Sequence, residues 1–175
     1  MITYYLANRL LNFLGRGESV NVSGNSRYVA LSQTLPNHAY ETQGTDDTGV
    51  TEPSGGGYAR VALALYGQSY SYEMTQANDG EITNGTPGST GTNSGDIVYF
   101  PEVTGTAGDH PWGTLKWFCI FDSQTGGNLL AFAPICDENG QPLENGITPE
   151  VGQLPIIRKG QLRISIDKEE PESGE

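Results

Sequence analysis

The sequence predicts an all-β protein, an antiparallel, jelly-roll-like β-sandwich preceded by a single N-terminal α-helix. Three observations predict it. Of 175 residues 24 are Gly and 10 are Pro, which suits many short strands joined by turns and leaves little room for long helices. Several short runs alternate in hydrophobicity at the period of a half-buried strand. Only one stretch, at the very start, repeats its apolar residues at helical spacing.

That stretch spans residues 3–15. Leu6, Leu10, Phe13 and Leu14 make one apolar stripe, Thr3 is placed to cap the front, and Gly15 or Gly17 to end the helix in a left-handed conformation. Such a stripe packs on its own domain or inserts into a neighbour, because an isolated helix this short is marginal. Residues 28–32 read as a short strand, and residues 35–57, rich in Thr, Gly, Asp and Pro, as a long loop. Residues 58–66 alternate, sending Val61, Leu63 and Leu65 to the core. Residues 70–74 are a further strand, residues 78–95 a Gly/Thr/Asn/Ser surface excursion, and residues 97–100 a strand stopped by Pro101, which has no N–H for a ladder.

The strongest pair is 114–121 with 128–135, joined by Asp122-Ser123-Gln124-Thr125-Gly126-Gly127, whose Asp and paired Gly suit a hairpin turn. If Phe121 sits opposite Asn128, then Cys119 faces Leu130, Trp117 faces Phe132 and Leu115 faces Pro134. The other face carries Phe118, Ile120, Leu129, Ala131 and Ala133. Both faces are then apolar, whereas one face of an antiparallel sheet usually meets water. The second face is therefore expected to pack against a partner. In this register Cys136 lies opposite Gly113, roughly 20 Å from Cys119, well beyond the ~7 Å that a disulfide spans. Two free thiols are expected. Asp137-Glu138-Asn139-Gly140 forms a turn and residues 141–152 a loop; residues 154–166 bend and then form a strand with Leu162, Ile164 and Ile166 inward. The division this implies is a helical segment at 1–17, a sandwich at 18–167 and an acidic tail at 168–175, with Glu169, Glu170, Glu172 and Glu175 solvated.

Charge narrows the function. Nine Lys and Arg against 21 Asp and Glu leave −12, which excludes a generic binder of nucleic-acid phosphates. No signal peptide and no membrane-crossing apolar run is present in the sequence. Catalysis is not expected, because His38 and His110 lie in polar loops outside any motif, and Ser123 beside Asp122 belongs to the hairpin turn. No spacing singles out two carboxylates for glycoside hydrolysis. Asp46-Asp47 and the turn at Asp137 lack a full calcium loop, so no metal and no cofactor is expected. Gly55-Gly56-Gly57 has no Lys-Ser/Thr ending and enters a strand, so it reads as close-packed backbone leading into Tyr58. Glu52 and Arg60 flank that run, and a bidentate ion pair between them is expected to fix the loop against the sheet. Trp112 and Trp117 are expected in the core or an interface, with sugar stacking as the alternative.

Taken together the motifs form a recognisable set: the Leu6-Ala7-Asn8 helix, Tyr28-Val29-Ala30-Leu31, Glu52-Pro53-Ser54-Gly55-Gly56-Gly57-Tyr58-Ala59-Arg60, Ile97 to Pro101, and Trp112-Gly113-Thr114. Phe118-Cys119-Ile120-Phe121-Asp122, Gly126-Gly127-Asn128-Leu129-Leu130 and a strand after Lys159-Gly160-Gln161 complete it. In this order the chain resembles the small phage virion proteins usually labelled tail fibre proteins, departing from their pattern in residues 78–95 and in the acidic tail. The resemblance carries no catalytic residues. It implies a structural component of the virion, made in the host bacterial cytoplasm, with partners among the virion proteins of tail, neck or capsid. A homo-oligomer, a trimer as first expectation, is to form through Leu6, Leu10, Phe13 and Leu14 of the helix and Phe118, Ile120, Leu129 and Ala131 of the sheet. A module binding host surface glycan through Trp112 or tyrosines is the alternative.

Overall fold

The computed structural model describes residues 1–19, 27–44, 46–63, 88–92, 98–157 and 163–167, with backbone alone for 88–92 and 163–167. The described residues are mostly β, with one helix at the N-terminus, and the strands of the four-stranded sheet and the pair Gly88–Thr92 with Arg163–Asp167 run antiparallel. The chain divides into two compact units, one of Met1–Leu65 with Tyr99–Pro155 and one of Tyr66–Val98 with Ile156–Glu175. These units interleave along the chain.

Helix α1, Tyr4–Arg16, starts and stops where its chemistry says it should. Thr3 is the N-cap, its hydroxyl accepting from the Leu6 N–H, and Gly17 at φ 66° ends the helix, its N–H returning to the Phe13 carbonyl. The segment before α1 closes a sheet edge. Phe132 donates to the Met1 carbonyl at 2.9 Å, Thr3 N–H reaches the Leu130 carbonyl at 3.0 Å, and the Thr3 hydroxyl donates to the Leu129 carbonyl at 2.7 Å. An unpaired strand edge would otherwise offer these groups to another chain.

The sheet so closed has four strands: β1 Arg27–Ser32, β2 Val61–Leu63, β5 Trp117–Phe121 and β6 Leu129–Pro134, in the order β2-β1-β5-β6. Between β2 and β5 in sequence lie β3, Gly88–Thr92, and β4, Val98–Tyr99; after β6 come β7, Ile156–Ile157, and β8, Arg163–Asp167. β3 pairs with β8, and β4 with β7, as two-stranded ladders. In the four-stranded sheet Ala30 lies beside Cys119, which lies beside Phe132, so the three share a face with Tyr28 and Phe121. Tyr5, Tyr40, Leu129 and Leu130 join them in one buried cluster, with Leu6, Val50 and Trp117 packed at its margin. Val29, Leu31 and Ile120 point to the opposite face and are buried as well, at 0, 4 and 5 % exposure.

Three expectations need correction. The hairpin register slips: Phe121 pairs with Leu129, Ile120 with Ala131 and Cys119 with Phe132, with a bulge between Ile120 and Phe121. The cause is the turn. Asp122 pairs with Asn128 through backbone and side chain, which starts the ladder one residue later, and Leu130 becomes the extra bulge residue. Second, part of the supposed surface excursion, Gly88–Thr92, is a strand, Ser89 lying beside Ile166 and Gly91 beside Ile164. Its Gly and Ser have weak strand propensity, and the pairing partner decides instead. Third, Ile120 and Leu129 of the sheet face expected to need a partner are buried within the single chain, while Phe118 and Ala131 are half-buried. The expected strand at 70–74, the bend at Lys159 and Gly160, and the acidic tail lie outside the described residues.

Candidate functional site

Residues singled out from the sequence as a dispersed motif meet at one place beside the β5–β6 hairpin. Arg60 is its hub. The guanidinium grips Glu52 side-on, with Nε 3.0 and 3.1 Å from the two carboxylate oxygens and Nη2 2.6 Å from Oε1. Nη1 donates to the carbonyls of Ser123 and Gly126 at 2.9 and 2.7 Å, inside the hairpin turn. The plane also lies over the Phe121 ring, 3.6 Å from its centroid, with the Arg60 side chain 9 % exposed. A guanidinium alone can fork onto a carboxylate, cap a turn and cover an aromatic face at once.

Two neighbouring groups extend this lock. Tyr58 donates to Glu52 at 2.9 Å and accepts from the Leu31 N–H at 2.8 Å, tying the loop to β1; burial, with the Glu52 charge adding to it, pushes its phenol far above the usual range. Its ring meets the edge of Trp112, 5.2 Å between centroids. Trp112 is fully buried and its indole N–H donates to the Gly56 carbonyl at 2.8 Å, while Gln33 donates to the Trp112 carbonyl at 2.9 Å from beside Gly113. Gly56 sits at φ 61°, and a Cβ there would come within 2.7 Å of Pro111 and 2.9 Å of the indole. Only Gly fits this approach. Gly57 follows at φ 74°, delivering the chain to Tyr58.

On the other side the turn holds itself. Asp122, 3 % exposed, accepts from the Asn128 N–H at 2.6 Å and from its amide at 2.8 Å. Asn128 Oδ1 in turn accepts from Tyr40 at 3.1 Å and from the Gln43 N–H at 2.9 Å, so the 35–57 loop is bonded to the hairpin. Burial, then the charge of Asp122, pushes the Tyr40 phenol up to about 12. Gly127 at φ 78° is needed because a Cβ would fall 2.6 Å from the Asp122 carboxylate. A cleft of about 310 Å³ opens here between Tyr40, Asp46, Glu52, Arg60 and Gly126, but the polar groups of Tyr40, Glu52 and Arg60 in its wall are already bonded to other protein groups.

The arrangement holds loops together. Ser123 donates to the Thr125 carbonyl at 3.0 Å as a turn former, and Asp122 is consumed by Asn128. Asp46 accepts from the N–H groups of Glu41 and Thr42, Asp47 from Gly49, and Asp137 from Asn139 and Gln141. Trp112 is buried within the single chain, as a core residue would be. Cys119 is buried and Cys136 exposed, and both are free. The helix residues of the expected interface fare unevenly: Leu6 and Leu10 are half-buried, Phe13 and Leu14 are exposed. Sequence reasoning missed Tyr40 and Gln43, whereas Gly56 lies in the Gly run expected to be close-packed backbone before Tyr58.

Compared with known proteins, residues 1–156 match the model of a family described as podophage GP4 fiber I protein gp80. The chain belongs to this family. It is thereby a phage virion structural protein of the fibre type. The match takes in every residue of the unit that carries the Arg60 lock and leaves residues 157–175 outside. No curated protein matches the chain. Among the described residues no helix of this fibre-family chain is long and apolar enough to cross a membrane.

Proposed function

We propose that the chain serves the podophage particle as a passive building part, without catalysis, that assembles with its own copies and attaches to neighbouring virion proteins. The observation that carries this is the use of the motif itself. Glu52, Tyr58, Arg60, Trp112, Asp122 and Asn128 spend their polar groups on one another and on the backbone, so the residues most in need of explanation hold two loops and a hairpin as one rigid body. A β unit whose β6 edge is covered by its own N-terminal residues suits a part that does not polymerise through that strand. The jelly-roll-like sandwich, the trimer and the attachment point on tail, neck or capsid belong to this reading as its finer points.

The test is made on the particle. Gradient-purified virions should contain the chain at fixed stoichiometry by quantitative mass spectrometry, and virions grown without it should lose a defined appendage in electron micrographs. A chain found only in the lysate, and never in the washed particle, would refute the proposal.

A further inference from the structure

We infer that Asn139 is a site of spontaneous covalent modification, converting to isoaspartate, while the same dipeptide at Asn145 is held inert by the fold. The sequence has three Asn-Gly steps, at Asn84, Asn139 and Asn145, of which the last two lie among the described residues. Both of these follow a glutamate, Glu138 and Glu144, so their immediate sequence is matched. Such a step is reactive because Gly has no Cβ to keep its backbone nitrogen away from the preceding side-chain amide. The Gly140 nitrogen gives up its proton to solvent base and bonds to Cγ of Asn139; the Cγ–N bond breaks and the side-chain nitrogen leaves as ammonia. Water then opens the resulting succinimide. Attack at the main-chain carbonyl leaves the chain running through Cγ as isoaspartate, and attack at Cγ leaves ordinary aspartate. Either way one water is consumed and one ammonia is lost, with no oxidant or cofactor taking part.

Surroundings separate the two sites. Every residue from Cys136 to Pro142 is exposed, and a Cβ at Gly140 would meet nothing within 4 Å, so the ring has room to form. The Gly140 N–H donates to the Asp137 carbonyl at 3.1 Å, and the Asp137 N–H closes the hairpin on the Gln141 carbonyl at 2.8 Å. Asp137 clasps the tip further, its Oδ1 accepting from the Asn139 and Gln141 N–H groups, both at 2.9 Å. These bonds lie in water, which replaces them as the tip frays. Around Asn145 the chain is tied on both sides. The Leu143 N–H donates to the Ile135 carbonyl at 2.8 Å, the Ile147 N–H to the Leu115 carbonyl at 2.8 Å, and the Gly146 N–H to the Leu143 carbonyl at 2.9 Å. Leu143, Gly146 and Ile147 are half-buried, Leu115 is fully buried, and a Cβ at Gly146 would collide with the Leu115 carbonyl. Gly146 cannot swing toward the Asn145 amide without straining two bonds that run out of the turn to Ile135 and Leu115, whereas the bonds at Asn139 stay within their own hairpin. Reaction at Asn139 sets a new charge beside Asp137 and Glu138 and, as isoaspartate, adds a methylene to the main chain, which undoes the Asp137 clasp.

The purified full chain, incubated in mildly alkaline buffer made with heavy-oxygen water and then digested in ordinary water for mass spectrometry, tests this. Each site that reacts exchanges its NH2 for a labelled OH, and electron-transfer fragmentation tells isoaspartate from aspartate. The two backbone bonds that hold Asn145 are worth about thirtyfold in rate, so labelled product at Asn139 should exceed that at Asn145 by about that factor in the folded chain. In urea the two steps should react at similar rates, since only the fold distinguishes them. Asp137→Ala, which removes the clasp, should speed reaction at Asn139 and leave Asn145 unchanged, with circular dichroism to check that the variant keeps its fold. Equal rates at the two sites in the folded chain, a faster Asn145, or an Asn139 that stays unlabelled while the unfolded chain reacts overturns the inference. So does a folded Asp137→Ala variant in which Asn139 reacts no faster than in the wild type.

Discussion

Arg60 shows how much one side chain can be asked to do when water is excluded from it. Its Nε, Nη1 and Nη2 donors meet a carboxylate and two carbonyls while its plane covers Phe121, and that geometry belongs to the fork and not to the charge. Arg60→Lys therefore keeps the ion pair and loses the turn carbonyls, and Glu52→Gln leaves the guanidinium short of its anion. Each should lower the free energy of unfolding by about 2–4 kcal/mol, read from urea midpoints at unchanged slope. Alkali should act on the same spot. Tyr40 and Tyr58 ionise near 10.0 when unfolded and are raised in the folded state, so the folded chain holds protons that the unfolded chain has released. Their stabilising contribution is intact below pH 10 and is lost as pH rises toward about 12, by about 1.4 kcal/mol per pH unit for each phenol. Tyr40→Phe with Tyr58→Phe should flatten that fall in a pH series of urea melts; an unchanged slope would show that the phenols are not buried as described. The Glu52–Arg60 pair was legible from the sequence because the two residues flank a glycine run. Tyr40 and Gln43 were not, because their partner Asn128 is 88 and 85 residues away and nothing local marks either of them.

At the level of elements, α1 and the hairpin were the most readable parts of the chain. The helix has both its caps written into it, Thr3 and Gly17, and an apolar period in between. The hairpin was found, with its strands and the alternation of Trp117, Cys119 and Phe121 against Phe118 and Ile120, but its register was not. Asp122 looks like any turn residue in sequence, and only its twofold grip on Asn128 moves the first ladder pair and forces the bulge at Leu130. Asp122→Ala should therefore cost about 1–3 kcal/mol, since it leaves the Asn128 N–H without its acceptor. It should also speed amide exchange at Asn128 well before it affects β1. If exchange at Asn128 is unaltered, the turn is not held by that carboxylate. The strand Gly88–Thr92 was unreadable for a different reason: its composition is that of a loop, and its conformation is set by β8, more than seventy residues on.

At the scale of the molecule, the sheet face that the sequence alone leaves in need of a partner is largely buried by the chain itself at Val29, Leu31 and Ile120, while the shifted register turns Leu129 to the other face beside Phe121. A pattern of residues reveals that a face must be covered, but not by what. Among the described residues Leu11, Phe13 and Leu14 of the helix stay exposed, as do Leu35, Tyr99 and Leu154, and Phe13 and Leu14 belong to the expected stripe. The account thus joins a rigid unit, locked by Arg60, to a helix with exposed apolar residues, within a family of podophage fibre proteins. The most direct test is electron cryomicroscopy of the intact particle at a resolution that shows side chains. The account predicts the chain in the virion, with Arg60 held between Glu52 and the hairpin carbonyls of Ser123 and Gly126. A washed particle that lacks the chain, or one in which Arg60 is turned away from Glu52 and the hairpin, would contradict it.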